Sequence, residues 1–268
     1  MKLQKGDYAD HEYQLQKENQ ATCTEDGYKY YKCRQCGAEK SEKTASKLNH
    51  DFSVLIEHKD GTCTTKSYDL YKCTRCDQTQ KMEGDYGEHS YVETSGNDAE
   101  TTYTCSVCGA TKVESNDREY TIDLGNGQTT TVTGHFERSM EAELFDMLNE
   151  YRAENGVEAL EEGSEALKNA ADIRGYEIAY SFSHTRPNGE RALTSFNATT
   201  NCCAENIAKY QTSAEQVMES WKNSAGHNSN MISKYPQKVS ISVFARYERT
   251  RNDGSNVYSY HFVQLFSW

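Results

Sequence analysis

The chain has 268 residues, 35% of them hydrophobic, and a formal net charge of −12. This length suits two domains of about 100–200 residues each, and the mean hydropathy of −0.91 indicates a polar, exposed portion. An acidic chain without basic clusters argues against binding to nucleic acid or to anionic membrane surfaces. No apolar run approaches the ~18 residues of a membrane-spanning helix.

The N-terminal part of the chain repeats itself with a period of about 40 residues, which implies small modules in a row. Two copies share a histidine followed by the spacing C-x9-C-x2-C. They consist of His11, Cys23, Cys33 and Cys36, and of His50, Cys63, Cys73 and Cys76. The predicted modules span residues 1–48, 49–87 and 88–118.

The modules are too poor in aliphatic residues to form cores, so they need metals or disulfides to fold. Aromatic-rich runs before each C-x-x-C predict a β-hairpin with the C-x-x-C at its turn. Two thiolates from one turn can chelate Zn²⁺, and the histidine and first cysteine of the same copy would complete a closed Cys3His site. Three cysteines per copy favour zinc over intramodule disulfides, but a Cys23–Cys63 bridge or a mixed state also satisfies the count.

The third copy is degenerate, because it keeps only His89, Cys105 and Cys108, and Ser95 aligns with the missing first cysteine. A nearby carboxylate (Asp98 or Glu100) or water would supply the fourth metal ligand. Alternatively, the two remaining cysteines pair with each other. The modules resemble tandem zinc-ribbon-like modules of bacterial surface proteins, which implies a structural stalk or, alternatively, an adhesive role.

Residues 119–135 are predicted to form a β-hairpin linker that turns at Gly125-Asn126-Gly127. A first helix follows, with Ser139 as its N-cap and Gly156 at its end. A second helix begins after Ser164 and contains Gly175 as a weak position. A third helix begins at Thr212 or Ser213 in a capping box. Alternating apolar residues then predict paired strands over 239–245 and 258–265.

Short polar motifs crowd the stretch from residue 181 to 231. They bring two histidines, His184 and His227, into the same region as one carboxylate, Glu205. Imidazole and carboxylate groups that converge in this way can hold a cation or a polar substrate, or accept a proton. The neighbouring Cys202 and Cys203 are expected to be buried free thiols, with metal contact as the alternative.

Five motifs occur in an order that resembles the CAP superfamily, in its bacterial SCP-domain form. They are L-F-D-M-L-N-E-Y-R-A-E-N-G (144–156), F-S-H-T-R-P (182–187), A-E-N-I-A (204–208), Q-V-M-E-S-W-K-N-S-A-G-H (216–227) and F-V-Q-L-F (262–266). The resemblance covers residues 136–268. It implies an α-β-α sandwich with an open cleft, and thus an α+β fold for the chain as a whole.

In the family, two histidines and two glutamates line that cleft and can hold a divalent metal. The resemblance assigns His184, Glu205 and His227 to three of these positions. Ser224 stands where the second glutamate is usual, and Asn228 stands where bacterial relatives often carry arginine. A metal in the cleft would therefore have fewer anionic ligands than is usual in the family.

Three functions are compatible with these residues. In the first, a secreted or cell-surface protein binds an extracellular ligand, lipid or protein in the cleft. In the second, a zinc-dependent hydrolase or peptidase uses His184, His227 and Glu205, with Ser224 holding water or acting as nucleophile. In the third, the cleft residues only maintain the fold. No signal peptide is visible at the start of this sequence, but the resemblance favours export.

Overall fold

The computed structural model describes residues 10–193, 196 and 200–268. The chain divides into two compact units. The first comprises the described residues of Met1–Tyr91 together with Cys105–Ala110, and the second comprises Val92–Thr104 and Thr111–Trp268.

Each of the three repeats forms a three-stranded antiparallel sheet with the second strand in the middle. The strands are β1 (Tyr13–Asn19), β2 (Gly27–Cys33), β3 (Glu39–Ala45), β4 (Val54–Lys59), β5 (Lys66–Lys72), β6 (Thr79–Tyr86), β7 (Tyr91–Gly96), β8 (Glu100–Cys105) and β9 (Thr111–Ser115). The predicted hairpins with C-x-x-C at the turn are confirmed, since each C-x-x-C begins at the end of the middle strand. The sequence prediction lacked the first strand, which directly follows the repeat's histidine.

The second unit contains a larger sheet and four helices among the described residues. Its elements are β10 (Arg118–Gly125), β11 (Gln128–Phe136), α1 (Arg138–Glu154), β12 (Glu161–Glu162), α2 (Glu165–Tyr180), β13 (Cys202–Lys209), α3 (Ala214–Lys222), α4 (Ala225–Met231), β14 (Lys238–Thr250) and β15 (Asn256–Ser267). The sheet order is β10-β11-β14-β15-β13, with β12 pairing beside β14. The predicted hairpin of β10 and β11 exists, and β11 also pairs with β14.

Alternation along β15 shows that helices cover both faces of this sheet. Phe262 and Phe266 pack in the cluster that contains the apolar residues of α1 and α3. Val263 and Leu265, one residue out of phase, pack against α2. Because successive strand residues point to opposite faces, the unit is an α-β-α sandwich. This confirms the α+β fold class expected from the sequence.

Three helix boundaries follow the capping residues predicted from the sequence. The Ser164 and Ser213 hydroxyls accept hydrogen bonds from Leu167 N and Gln216 N at the starts of α2 and α3. Gly156, with φ +65°, follows the end of α1 as predicted. The prediction of Ser139 as an N-cap was wrong, because α1 begins at Arg138 and Ser139 lies within its first turn.

Gly175 lets α2 lie close to the sheet. A Cβ atom at this position would lie 2.7 Å from Ser242 Oγ and 3.3 Å from Phe244 Cβ, both on β14. The glycine that looked like a weak helical position therefore lies at a close contact between helix and strand.

We expect Gly175→Ala to lower the free energy of unfolding by about 1–3 kcal/mol, because the added methyl group overpacks the contact with β14. Alanine's better helix propensity would otherwise stabilise the protein. Chemical denaturation monitored by circular dichroism measures the change. Asn169→Ala, at an exposed position of α2, is the matched control and should change stability by no more than about 0.5 kcal/mol. A stabilised Gly175→Ala variant would contradict the packing argument.

Candidate metal clusters and cleft

Three clusters of cysteine and histidine lie in the first unit, each with its ligand atoms within 4.8 Å of one another. We call them clusters 1, 2 and 3. Cluster 1 is His11, Cys33 and Cys36; cluster 2 is Cys23, His50, Cys73 and Cys76; cluster 3 is Cys63, His89, Cys105 and Cys108. All eleven residues singled out from the repeat pattern are therefore brought together.

The grouping differs from the sequence prediction, because the first cysteine of a repeat joins the cluster of the next repeat. Cys23 was expected beside Cys33, but the seven residues of β2 separate them. Seven extended residues at about 3.3 Å each span roughly 20 Å, so the two thiols lie at opposite ends of the sheet. Strand β5 separates Cys63 from Cys73 in the same way. The proposed Cys23–Cys63 bridge is equally wrong, because the two cysteines lie in different clusters.

A Thr-Cys-Thr turn presents the forward-pointing cysteine in the first two repeats. In the first, Thr22 Oγ1 accepts hydrogen bonds from the backbone N–H groups of Thr24 and Glu25. In the second, Thr62 Oγ1 accepts equivalent bonds from Thr64 and Thr65. The hydroxyl fixes the turn locally, so the cysteine at its second position is held without a core beneath it.

The third repeat builds the same turn with different residues. Asn97 Oδ1 accepts from the N–H groups of Ala99 and Glu100, which makes Asn97 the counterpart of the threonines. Asp98, not Ser95, therefore occupies the cysteine position. Its carboxylate accepts hydrogen bonds from both the backbone N–H (2.8 Å) and the hydroxyl of Ser139 in the first turn of α1. Asp98 thus does the capping that the sequence analysis had assigned to Ser139.

The fourth member of cluster 3 is consequently Cys63, and not the Asp98 or Glu100 carboxylate considered from the sequence, and Cys105 and Cys108 do not form the disulfide considered as the alternative. All ten cysteines are free thiols. The third repeat lacks a first cysteine because its turn bonds to a helix, so its apparent degeneracy follows from its position at the end of the row.

The geometry of the clusters fits a tetrahedral zinc ion. The Sγ atoms of Cys23 and Cys73 are 3.7 Å apart, as are those of Cys63 and Cys105. Zn–S bonds of about 2.3 Å give a tetrahedron with S···S edges of about 3.8 Å. The second cysteine of each C-x-x-C lies 3.2–3.3 Å from the histidine Nδ1. Thiolate and imidazole are also the ligands that zinc prefers.

Each histidine is held by a ring two residues later. His11 packs against Tyr13, His50 against Phe52, and His89 against Tyr91, with ring centroids 5.1–5.4 Å apart. The sequence carries this signal as a repeated histidine-x-aromatic triplet, which the spacing analysis did not use. It fixes the imidazole that faces the C-x-x-C.

A thiol from a C-x-x-C and a thiol contributed by the preceding repeat differ in acidity, as Cys73 of cluster 2 and Cys63 of cluster 3 illustrate. Burial opposes ionisation of Cys73, but the N–H groups of Arg75 and Asp51 bring the pKa of its thiol to about 5. Burial raises the pKa of the Cys63 thiol to about 11, with hydrogen bonds from Cys108 and Cys105 acting in the same direction. Cys73 is therefore a thiolate near neutral pH, whereas Cys63 releases a proton when a cation binds.

The cleft of the second unit is organised by the buried carboxylate of Glu205 on β13. One of its oxygens accepts a hydrogen bond from Arg174 Nε at 2.8 Å, and the other pairs with His184 Nδ1 at 2.6 Å. The Glu205 side chain is 1% exposed, whereas the His184 side chain is 61% exposed. Glu205 therefore anchors the histidine and keeps no oxygen free of a protein partner.

The charge of Arg174 is balanced by a second buried carboxylate. Arg174 Nη1 forms a salt bridge with one carboxylate oxygen of Glu177 at 2.8 Å, and Arg186 forms a salt bridge with the other oxygen. The sequence analysis missed this network. Its signal was a charged residue on an apolar helix face, because Arg174 lies three residues after Ala171 and four before Ile178.

His227 lies on α4, a helix that the sequence analysis did not predict. Asn206, next to Glu205, points to the other face of β13 and donates to the carbonyl of His227 at 3.1 Å. Burial lowers the pKa of His227, and repulsion from His184 adds to this effect. The pKa of His184 is raised, chiefly by its hydrogen bond to Glu205. The two environments thus push the pKa values of the two histidines apart.

The cleft groups do not form a fourth metal-ligand cluster among the described residues. Within the part of the chain that the structure describes, Ser224 makes no hydrogen bond to His184 or Glu205. The position of the family's second glutamate is therefore outside the His184–Glu205–Arg174 network.

Beside His184 there is an open cavity of about 440 Å³. It is lined by His184, Arg191, Ala192, Leu193, Cys203, Ala204, Glu205 and Asn230. Cys203 donates its S–H to the carbonyl of Phe266, and burial raises the pKa of the Cys202 thiol to about 12. Both cysteines are free thiols, as predicted, but only Cys202 is buried and Cys203 is partly exposed. Cys202 is poorly suited to nucleophilic chemistry.

None of the helices in the described ranges is long and apolar enough to span a membrane.

Comparison with known proteins gives one family match. Residues 145–266 match the model of the CAP family, described as the cysteine-rich secretory protein family. No curated protein matches the chain significantly. The matched region contains His184, Glu205, Ser224 and His227.

Three solved structures share some likeness with the chain. An outer surface protein from Borrelia burgdorferi is 14% identical, covers 56% of this chain and 98% of its own, and has a TM-score of 0.37. An extracellular SCP-domain protein from Bacillus anthracis is 11% identical over 91% and 82%, with a TM-score of 0.37. A cysteine-rich secretory protein from Staphylococcus aureus is 14% identical over 90% and 82%, with a TM-score of 0.35. The family assignment rests on the family model alone.

We expect the imidazole of His184 to titrate above its ordinary pKa of about 6.5 and that of His227 to titrate below it. Because its pKa is raised on folding, the His184–Glu205 pair stabilises the fold below pH of about 6.5, and this contribution is lost as the pH rises through the folded-state pKa. Glu205→Gln should bring the His184 pKa down while Arg174 keeps an acceptor. Two-dimensional NMR of the histidine rings measures both values. An unchanged His184 pKa in Glu205→Gln would contradict this account.

Proposed function

Residues 145–266 of this chain match the model of the CAP family, and from that match we propose that the cleft of the second unit binds an extracellular ligand that carries an anionic group. The observation that carries this proposal is the state of Glu205. Both of its oxygens are bonded inside the protein, by Arg174 and His184, and the side chain is buried, so a cation or a substrate proton would have to compete with these partners for the carboxylate.

The outward-facing chemistry of the cleft is instead cationic and amide-like. A protonated His184 turns its Nε2–H away from Glu205, and the exposed Arg191 and the amide of Asn230 line the same cavity. Leu193 and Ala204 add apolar surface. A carboxylate or phosphate joined to a short apolar chain matches this combination, as in a lipid or a peptide terminus.

A zinc hydrolase is the weaker reading of the same residues. Glu205 raises the pKa of His184, so a metal at Nε2 would have to compete with the proton that this pairing favours. Glu205 would have to leave Arg174 with an unpaired buried charge in order to become a ligand or base. Secretion or cell-surface display is part of the proposal, and the family's description as secretory proteins supports it.

Octanoate is a suitable first probe of the cleft, with octanol as its neutral counterpart. We expect octanoate to shift the ring resonances of His184 saturably and octanol to have little effect, because the octanoate carboxylate accepts a charge-assisted bond from the imidazolium whereas the octanol hydroxyl is a neutral, weaker acceptor. His184→Ala and Arg191→Ala should each weaken octanoate binding about tenfold, which corresponds to one charge-assisted hydrogen bond. Arg251→Ala, in the distant β14–β15 loop, is the matched control. Equal binding of both probes, or no loss in either variant, would contradict the proposal.

We further propose that clusters 2 and 3 each hold one Zn²⁺, so that the repeats form a metal-stabilised stalk for the CAP domain. The support is the tetrahedral spacing of the thiols and the free state of every cysteine. Because each four-ligand set joins two successive repeats, each ion would fasten one repeat to the next. Closed sites of this kind stabilise a fold and do no chemistry.

Zinc content measured by mass spectrometry under native conditions tests the stalk. The purified chain should keep at least two Zn²⁺. Cys23→Ser should weaken cluster 2, built around the second repeat's C-x-x-C, whereas Cys33→Ser should leave both closed clusters loaded. A double variant, His184→Ala with His227→Ala, should retain all its zinc. A chain with neither zinc nor titratable thiols would overturn the stalk proposal in favour of disulfides.

A further inference from the structure

We infer that cluster 1 is a three-ligand metal site whose fourth position accepts a thiolate from outside its own three side chains. The inference rests on the proposed metal occupancy of the other two clusters. It goes beyond that proposal, because it assigns cluster 1 a different role, namely capture of an external thiol.

Cluster 1 has the same local construction as the closed clusters. The N–H of the residue after the first C-x-x-C cysteine donates to the carbonyl of the residue after the histidine in every repeat. The three bonds are Arg34 N to Glu12 O, Thr74 N to Asp51 O, and Ser106 N to Ser90 O, at 2.9–3.1 Å. The first cysteine of each C-x-x-C is buried in all three. The local structure therefore positions three candidate metal ligands in cluster 1 in the same way as in clusters 2 and 3.

The fourth corner is what distinguishes cluster 1. In clusters 2 and 3 it is filled by a Thr-Cys-Thr turn of the preceding repeat, 27 and 26 residues before the cluster's histidine. Among the residues that the structure describes, no further Cys, His, Asp or Glu side chain completes cluster 1.

An ion held there would be reachable from solvent. His11 and Cys36 are exposed, and only Cys33 is buried. A zinc site with three protein ligands keeps a position for an exchangeable ligand, and a site with two thiolates and an imidazole favours a soft thiolate in that position. When a thiol binds, its sulfur replaces water on the metal and its proton passes to solvent, so no oxidant or reductant is needed.

Cobalt substitution tests the inference on the full-length chain. Co²⁺ is loaded into the clusters, and 2-mercaptoethanol is titrated while the thiolate-to-cobalt absorbance and the binding stoichiometry are recorded. We expect one thiol per chain for the wild type and none for the Cys33→Ser, Cys36→Ser double variant. Cys23→Ser is the matched control, because it opens cluster 2 in the same way, and it should take up two thiols per chain.

A second titration distinguishes the source of the thiol. A peptide with the sequence of residues 20–26, Q-A-T-C-T-E-D, presents the turn that fills cluster 2. Half-saturation by this peptide at least tenfold below that of 2-mercaptoethanol would identify a protein cysteine as the preferred ligand, and equal values would identify a small thiol.

Two results would overturn the inference. If Cys23→Ser takes up one thiol and the wild type none, the fourth position of cluster 1 is already filled by the chain. If uptake persists in the Cys33→Ser, Cys36→Ser variant, the thiol binds elsewhere. A chain that binds no Co²⁺ in any cluster would refute the metal stalk as well, so the two failures are distinguishable.

Discussion

The first unit depends on its cysteines, because they are nearly all that it buries. Among its described residues, the buried ones are Cys23, Cys33, Cys73 and Cys105, together with Gly27. Apolar side chains such as Leu55 and Met82 remain about half exposed on the strands. The hydrophobic burial that normally offsets conformational entropy is therefore small here. In the proposed stalk, the attraction between thiolates and a bound cation would supply the interaction that orders these sheets.

The same kind of turn occurs in all three repeats, but the residue that projects from it does not contact the same partner in each. The turn before each middle strand carries a residue that reaches beyond its own sheet. Cys23 and Cys63 reach the next C-x-x-C, whereas Asp98 reaches the N-terminus of α1. A carboxylate suits the last case because free N–H groups and the helix dipole favour negative charge, and a cap of this kind contributes about 1 kcal/mol. A thiol that would ionise on metal binding and a carboxylate thus serve the same position.

The sequence predicted what depends on local spacing. The C-x-x-C turns, the caps at Ser164 and Ser213 and the paired strands β14 and β15 all follow from neighbouring residues. The prediction that failed was the choice of the cysteine's partners, because spacing along the chain was used as if it were distance in space. A strand between two cysteines moves them apart, whereas a helix or turn would keep them close. Recognising Gly27–Cys33 as a strand was already enough to exclude a Cys23–Cys33 contact.

In the cleft, too, the sequence identified residues but not their interaction partners. Motifs identified His184, Glu205 and His227, but they do not say which of these groups already has a partner. Arg174 decides this, since its guanidinium is fully buried and binds Glu205 and Glu177 together. Removing one partner from such a buried network costs about 3–5 kcal/mol, so the fold itself keeps Glu205 bonded. A carboxylate committed in this way can still orient and charge the exposed imidazole of His184. The pairing with Glu205 thus favours the protonated form of His184, on which the proposed binding of an anionic ligand depends.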